Sequence, residues 1–291
     1  MSTATEVIIR FFSYPLIMGL AIAGQLAIAM QGLPYWPLAP LLAATGIAGV
    51  AVLERIQPYQ QEWLADHDDT RVDILHAAFS LTLIFISLEI VHVTRLLIPA
   101  TTLWPAGLPV WLQVLLAGLI IDFGLWFMHW LSHRNHALWR LHALHHSSER
   151  LYWLNGERRH PLSALILALP GVTVVILLGA PAIVVGCWFS IVAVHLAFQH
   201  ANLDYTLGPF RSLLGVAEIH RWHHKREYED AQVNFGEVWM IWDHLFGTYR
   251  YQANGVVAGE VGIRAKMPLR YTAQISWPFT DADGQSSEKS V

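Results

Sequence analysis

The stretch from Asp122 to Ser147 reads DFGLWFMHWLSHRNHALWRLHALHHS. It places six histidines within the 18 residues from His129 to His146. Five of them form two spaced sets, His129 and His133 (HxxxH), then His142, His145 and His146 (HxxHH); a further HxxHH follows at His220, His223 and His224. Residues three and four apart share one face of an α-helix. Each set can therefore aim its rings at one point, and together the sets supply eight donors. One ion rarely takes more than about four protein ligands, so eight donors predict two metal ions.

Burying so many imidazoles without partners would be costly, and charging them would make them repel; metal ions relieve both costs. Further donors flank the sets. His195 and His200 bracket the end of an apolar run, His160 lies in Arg158-Arg159-His160-Pro161, and His244 follows Asp243 in the segment Trp242–Thr248. His200 and His195 are the expected additional ligands. His160 and His244 are weaker candidates that could instead orient the first set of ligands, and Trp242–Thr248 reads equally as a packed turn in which Gly247 supplies a positive φ. His67, His92 and His136 have no converging neighbours and are expected to be ordinary surface or hydrogen-bonded residues.

The rest of the chain looks like a membrane protein. Of 291 residues, 54% are hydrophobic and only 14% charged, against about 25% charged in soluble domains. The net charge of -4 gives no sign of nucleic-acid binding. A single cysteine, Cys187, excludes an internal disulfide, a cysteine zinc site and a cysteine-ligated cluster. Several of the 13 tryptophans stand near the ends of apolar runs, where interfacial belts are expected.

Spanning helices need about 20 mainly apolar residues. Runs at 11–30, 36–53, 74–93 and 110–128 qualify, the first reading as a span rather than a cleaved signal. Two shorter runs, 162–178 and 182–196, are separated by Gly179-Ala180-Pro181; Pro170-Gly171 predicts a kink in the first of them. Asp122 lies inside the fourth run and needs a partner there, either a ligand imidazole or Arg134. The predicted fold is an all-α, multi-pass transmembrane bundle of about four spanning helices plus a kinked or re-entrant helical pair, under a histidine-rich helical cap. Residues 1–128 hold helices one to four, 129–160 the first two histidine sets, 161–199 the apolar hairpin, 200–280 the cap with the last set, and 281–291 a disordered tail. With alternating crossings, every Lys and Arg except Arg95 falls on the histidine side. The positive-inside rule then makes that side, and both termini, cytoplasmic.

At this point the sequence resembles the fatty acid hydroxylase / sterol desaturase superfamily over most of residues 54–279. The resemblance rests on the three histidine sets in this order, with Leu138-Trp139-Arg140-Leu141 before the second. It continues through Arg159-His160-Pro161, Gln199-His200-Ala201-Asn202, Asn234-Phe235-Gly236 and Trp242-Asp243-His244. Phe235 stands where many relatives carry Tyr, and His195 and His200 are one residue further apart than the corresponding pair in some relatives. The resemblance implies an integral-membrane, O2-dependent oxidoreductase with a histidine-bound di-iron centre acting on a lipid chain or sterol ring. Its ligands would be His129, His133, His142, His145, His146, His220, His223 and His224, with His195 and His200 as the remainder. Zinc could replace the two irons in purified protein. Electrons would come from a separate protein docking on the His/Arg-rich face, and a bacterial inner membrane is the expected location rather than the endoplasmic reticulum. Hydroxylation is the expected reaction and desaturation its alternative. A zinc-dependent hydrolase using Glu218 or Glu237 as base, or a non-catalytic metal-binding protein, are the readings from other classes.

Overall fold

A computed structural model describes residues 3–97 and 103–280; the tail expected to be disordered, 281–291, lies outside the described residues. The apolar runs form helices α1 (Thr3–Met30), α2 (Tyr35–Ile56), α3 (Thr70–Leu97), α4 (Val110–Ser132), α6 (Pro161–Leu177) and α7 (Ala182–His200), with α5 (His136–His146) between α4 and α6. Short helices α8 (Ala217–His223), α9 (Ile241–Phe246) and α10 (Tyr271–Ser276) follow, and no β-strand occurs among the described residues. Length and composition let α1, α2, α4, α7 and residues Thr70–Ser87 of α3 cross a membrane, while α6, at 17 residues, is shorter.

The two short apolar helices do not pair chiefly with each other. Helix α6 packs between α3 and α4, and α7 packs against α1, α2 and α4. Helix α6 also runs as one helix through Pro170. The residue after that proline has a packing role instead. A Cβ on Gly171 would lie 2.7 Å from the Ile121 Cα, and one on Gly124 would lie 2.7 Å from the Gly171 nitrogen. Backbone therefore meets backbone where α4 crosses α6, as small residues permit in membrane bundles.

Helix directions alternate so that six ends gather at one pole. There, Gln57 after α2 donates to the carbonyls of Glu6 in α1 and Asp204 after α7, at 3.2 and 3.0 Å. At the other pole the Trp104 amide donates to the Leu178 carbonyl, 2.8 Å away, joining the approach to α4 with the end of α6. The first pole is stitched by buried ion pairs. Asp73 of α3 takes Arg158 at 2.5 Å, the Tyr152 hydroxyl at 2.8 Å and the Asn155 amide at 3.0 Å. Arg150 grips Asp69 through two nitrogens, the closer at 2.6 Å. Glu54 of α2 accepts the amides of Trp153 and Asn202. Arg150, Arg158 and Arg159 are thus buried structural groups rather than part of a surface offered to a partner.

A branched side chain at the α4–α6 crossing must push two backbones apart. Gly171→Val is expected to destabilise the protein by about 1–3 kcal/mol or more. Gly19→Ala, where nothing lies within 4 Å of the added Cβ, should leave thermal unfolding in detergent micelles unchanged. Equal melting of the two variants would contradict the close approach.

Candidate metal centre

Four elements bring the histidines together at the first pole. Helix α4 carries His129 in its last turn, with His133 as its C-terminal cap residue. Helix α5 is capped by Asn135, whose side-chain oxygen accepts the Leu138 amide at 3.1 Å, and its buried C-terminal end carries His142, His145 and His146. Helix α7 ends on His200, and α8 carries His220 and His223, with His224 just beyond it.

Nine imidazoles divide into two groups, His129, His133, His142, His146 and His223 in one and His145, His200, His220 and His224 in the other, with one nitrogen of each within 4.8 Å of the rest of its group. None of the nine is more than 3% exposed. In the first group the Nε2 atoms of His133 and His142 lie 3.1 and 3.2 Å from that of His146. In the second, Nε2–Nε2 separations are 3.4 Å for His145–His200, 3.1 Å for His200–His220 and 3.0 Å for His220–His224. An ion holding imidazole at about 2.0–2.1 Å sets nitrogens about 3.0–3.4 Å apart in octahedral or tetrahedral shells. The rings already have that spacing.

Hydrogen bonding shows which nitrogen faces inward. His129 Nδ1 lies 2.9 Å from the Phe235 carbonyl, His223 Nδ1 2.8 Å from the Val233 carbonyl and His200 Nδ1 3.2 Å from the Leu196 carbonyl. A carbonyl can only accept, so each Nδ1 carries the proton and each Nε2 a lone pair. The Nε2 atoms of His129 and His223 are buried with no hydrogen-bond partner. Buried lone pairs of this kind are costly unless an ion takes them, and the donor set fits two divalent ions of the imidazole-binding kind. Burial, then the neighbouring imidazoles, hold His133, His142, His145, His146, His220 and His224 well below the usual histidine range. They stay neutral, which is the form a metal binds.

The geometry corrects several expectations from sequence. His195 is not with either group. Its Nε2 donates to the Glu237 carbonyl at 2.9 Å and its Nδ1 accepts the Tyr14 hydroxyl at 2.7 Å, so both nitrogens are committed. His160 caps α6, its Nδ1 accepting the Leu162 amide, and its Nε2 donates to the Ile275 carbonyl. His244 is exposed, with Nε2 donating to the Ser212 carbonyl. Asp122 bonds neither an imidazole nor Arg134. It accepts the amides of Val238 and Trp239 and the Trp242 indole N–H at 2.9, 3.2 and 2.9 Å, while Arg134 stacks over Trp130. Glu218, proposed as a general base, is held by Thr206, the Leu207 amide and Arg211.

Asp122 and Asp243 clamp the same loop. Asp243 accepts the amides of Phe235 and Gly236 at 2.9 and 2.8 Å and the Thr248 hydroxyl at 2.5 Å. Burial raises its carboxyl, and these three donors oppose the rise. The two aspartates thereby fix the loop whose Phe235 carbonyl orients His129. Gly247, at φ 73°, closes the α9 turn that presents Asp243, as expected for that segment. In the same loop Glu237 is 3% exposed, with Oε1 3.7 Å from His129 Nδ1 and Oε2 3.7 Å from Arg159; burial raises its carboxyl and Arg159 opposes this. Sequence spacing carries no signal for the backbone carbonyls of Phe235 and Val233, because any residue supplies them.

The family profile for fatty acid hydroxylase matches residues 114–248, which contain every histidine of both groups. Among characterised proteins, an ornithine lipid hydroxylase of Rhizobium tropici is 32% identical over 244 residues, 80% of this chain and 73% of the relative. The alkylglycerol monooxygenases of Homo sapiens and Danio rerio are 31% and 29% identical, over 48% and 50% of this chain. In those two the match spans only about a third of the relative, 31% and 32% of its length. No solved structure matches.

Metal analysis of purified variants tests the partition into groups. Wild type and His195→Gln should each hold two ions per chain, and His145→Ala should lose chiefly the ion of the second group. Asp243→Asn, which turns an amide N–H toward two backbone donors, should weaken metal binding about 10–100-fold. Loss of metal from His195→Gln equal to that from His145→Ala would show that His195 is a ligand after all.

Proposed function

The chain belongs to the fatty acid hydroxylase family, and on that footing we propose that it is a membrane-bound, O2-dependent di-iron lipid hydroxylase. The observation that carries this reading is the adjacency of the two groups. His145 and His146 are neighbours in sequence, yet their rings stand at 88° and enter different groups. His223 and His224 divide the same way, at 89°. Rings of the two groups also touch, with His146 stacked on His224 at a centroid distance of 4.6 Å. Two ions held so would act on one substrate.

The iron pair would supply O2 reduction and removal of hydrogen from an unactivated carbon. The protein does the rest. Nine neutral donors leave the ions electron-poor, in contrast to the carboxylate-rich sites of soluble di-iron bundles. Burial of every ligand, with Phe235 packed against His129, His133 and His223, excludes water that would quench an oxidant. The carbonyls of Phe235, Val233 and Leu196 keep three ligands in the metal-binding tautomer. The lipid reaches the site from the bilayer through the apolar helices, whose outer faces carry exposed side chains such as Phe79, Phe85 and Leu41. The histidine pole faces the cytoplasm of a bacterial inner membrane, on the Lys/Arg excess of its loops, where a separate electron-transfer protein would supply electrons to metal held by the two histidine groups.

Iron-loaded protein in lipid vesicles, given a reductant and 18O2, should place one 18O atom in each hydroxylated lipid. Chelation should abolish the reaction, and ferrous iron but not zinc should restore it. Hydroxylated lipid labelled only from water, or no lipid product from iron-replete protein, would refute the proposal.

A further inference from the structure

Phe235 and the imidazoles themselves resist one-electron oxidation; indole and phenol rings do not. Among the described residues, Trp139 and Tyr228 are the indole and phenol rings packed against ligands of the metal groups. The Trp139 ring lies 4.9 Å from His133, 5.3 Å from His146 and 6.4 Å from His142, centroid to centroid. Tyr228 lies 4.9 Å beyond Trp139, edge to face at 77°, and 6.4 Å from His133. Its hydroxyl donates to the His133 carbonyl. Trp139 is 5% exposed, whereas Tyr228 is half-buried and meets solvent. The two rings make a continuous path from the first metal group to the aqueous surface. The second group has no such ring against it among the described residues.

We propose that Trp139 and Tyr228 form a relay that discharges the oxidised metal centre when no lipid C–H bond is in place. The inference rests on the O2-dependent reading above. Electron tunnelling falls steeply with distance, so rings in contact with ligands are the first side chains such an oxidant would draw on. Trp139 gives one electron to the oxidised metal pair, which is thereby reduced by one. Tyr228 refills the indole with one electron, and its phenolic proton, held at rest by the His133 carbonyl, passes to water as that hydrogen bond opens. A thiol- or ascorbate-class reductant in the aqueous phase returns the electron to Tyr228, and water returns the proton. Two passes remove two oxidising equivalents. The order of the rings suits a discharge path, since the buried indole touches the ligands and the phenol, which must exchange a proton and meet a reductant, reaches solvent.

The test uses the full chain loaded with iron, in detergent micelles without lipid, reduced with a limiting amount of dithionite and mixed with O2. Freeze-quenched electron paramagnetic resonance should show a tyrosyl-type radical in the wild type. Tyr228→Phe should show a tryptophan-type radical instead, and Trp139→Phe a several-fold weaker tyrosyl signal, since Tyr228 then meets the metal group only through its own 6.4 Å contact with His133. Peptide mapping after repeated cycles without ascorbate should find oxidation at Trp139 and Tyr228 in the wild type, and several-fold more at His133, His146 and Phe235 in Trp139→Phe. Tyr228→Phe keeps the ring and removes only the hydroxyl, so it decides the matter even if Trp139→Phe fails to hold iron. Oxygen consumption by wild type in the lipid-free micelles with no aromatic radical, while the same protein hydroxylates lipid in vesicles, or the same radical in wild type and Tyr228→Phe, would overturn the relay alone. Absence of O2 consumption by the iron-loaded wild type would overturn the oxygenase reading and the relay together.

Discussion

Nine buried, neutral imidazoles with converging lone pairs are the constraint on which the rest of this structure depends. Left alone, such an arrangement is unfavourable. Lone pairs sealed from water lose their hydrogen bonds, and protons that would relieve them are driven off by burial and by the other rings. The arrangement is sustained by what surrounds it. Four helix ends deliver the rings, and buried ion pairs at the same pole hold the connecting segments against those ends. The transmembrane bundle, whose closest approach is the glycine crossing of α4 and α6, serves as the rigid base.

A second layer of groups sets ring orientation. The loop around Phe235 is held on one side by Asp122, a carboxylate inside α4, and on the other by Asp243, presented by the left-handed turn at Gly247. Both aspartates accept backbone amides and neither approaches a metal group directly. Their effect travels through the Phe235 carbonyl to His129. A carboxylate in an apolar helix invites assignment to an ion or a proton path; here its partners make it a structural clamp on a loop 116 residues away in sequence.

Histidine spacing was the most informative part of the sequence. The HxxxH and HxxHH periods follow from helical geometry, and their eight members all enter the two groups. His200 joins them as expected. His195 does not, although it stands near the same helix end and looks equally placed in a linear reading. Five residues of helix turn it away from His200, toward Tyr14 on α1 and the Glu237 carbonyl. The arginines read as a docking face are mostly consumed by Asp69, Asp73 and Glu237, acidic residues remote in sequence.

Hydropathy and the 3.6-residue period sufficed, without any structure, to indicate an all-α chain with several membrane-length helices and eight histidines spaced to converge. Those properties are local: they depend on which residues recur along one helix face. The division of the rings between the two groups was decided only in three dimensions, as were the tautomers of His129, His200 and His223 and the roles of Asp122, Asp243 and His195. Neighbours such as His145 and His146 project from one helix about 100° apart, and what waits in each direction is set by α7 and α8. Those partners are backbone carbonyls and side chains brought in by long-range packing, and no pattern along the chain encodes them.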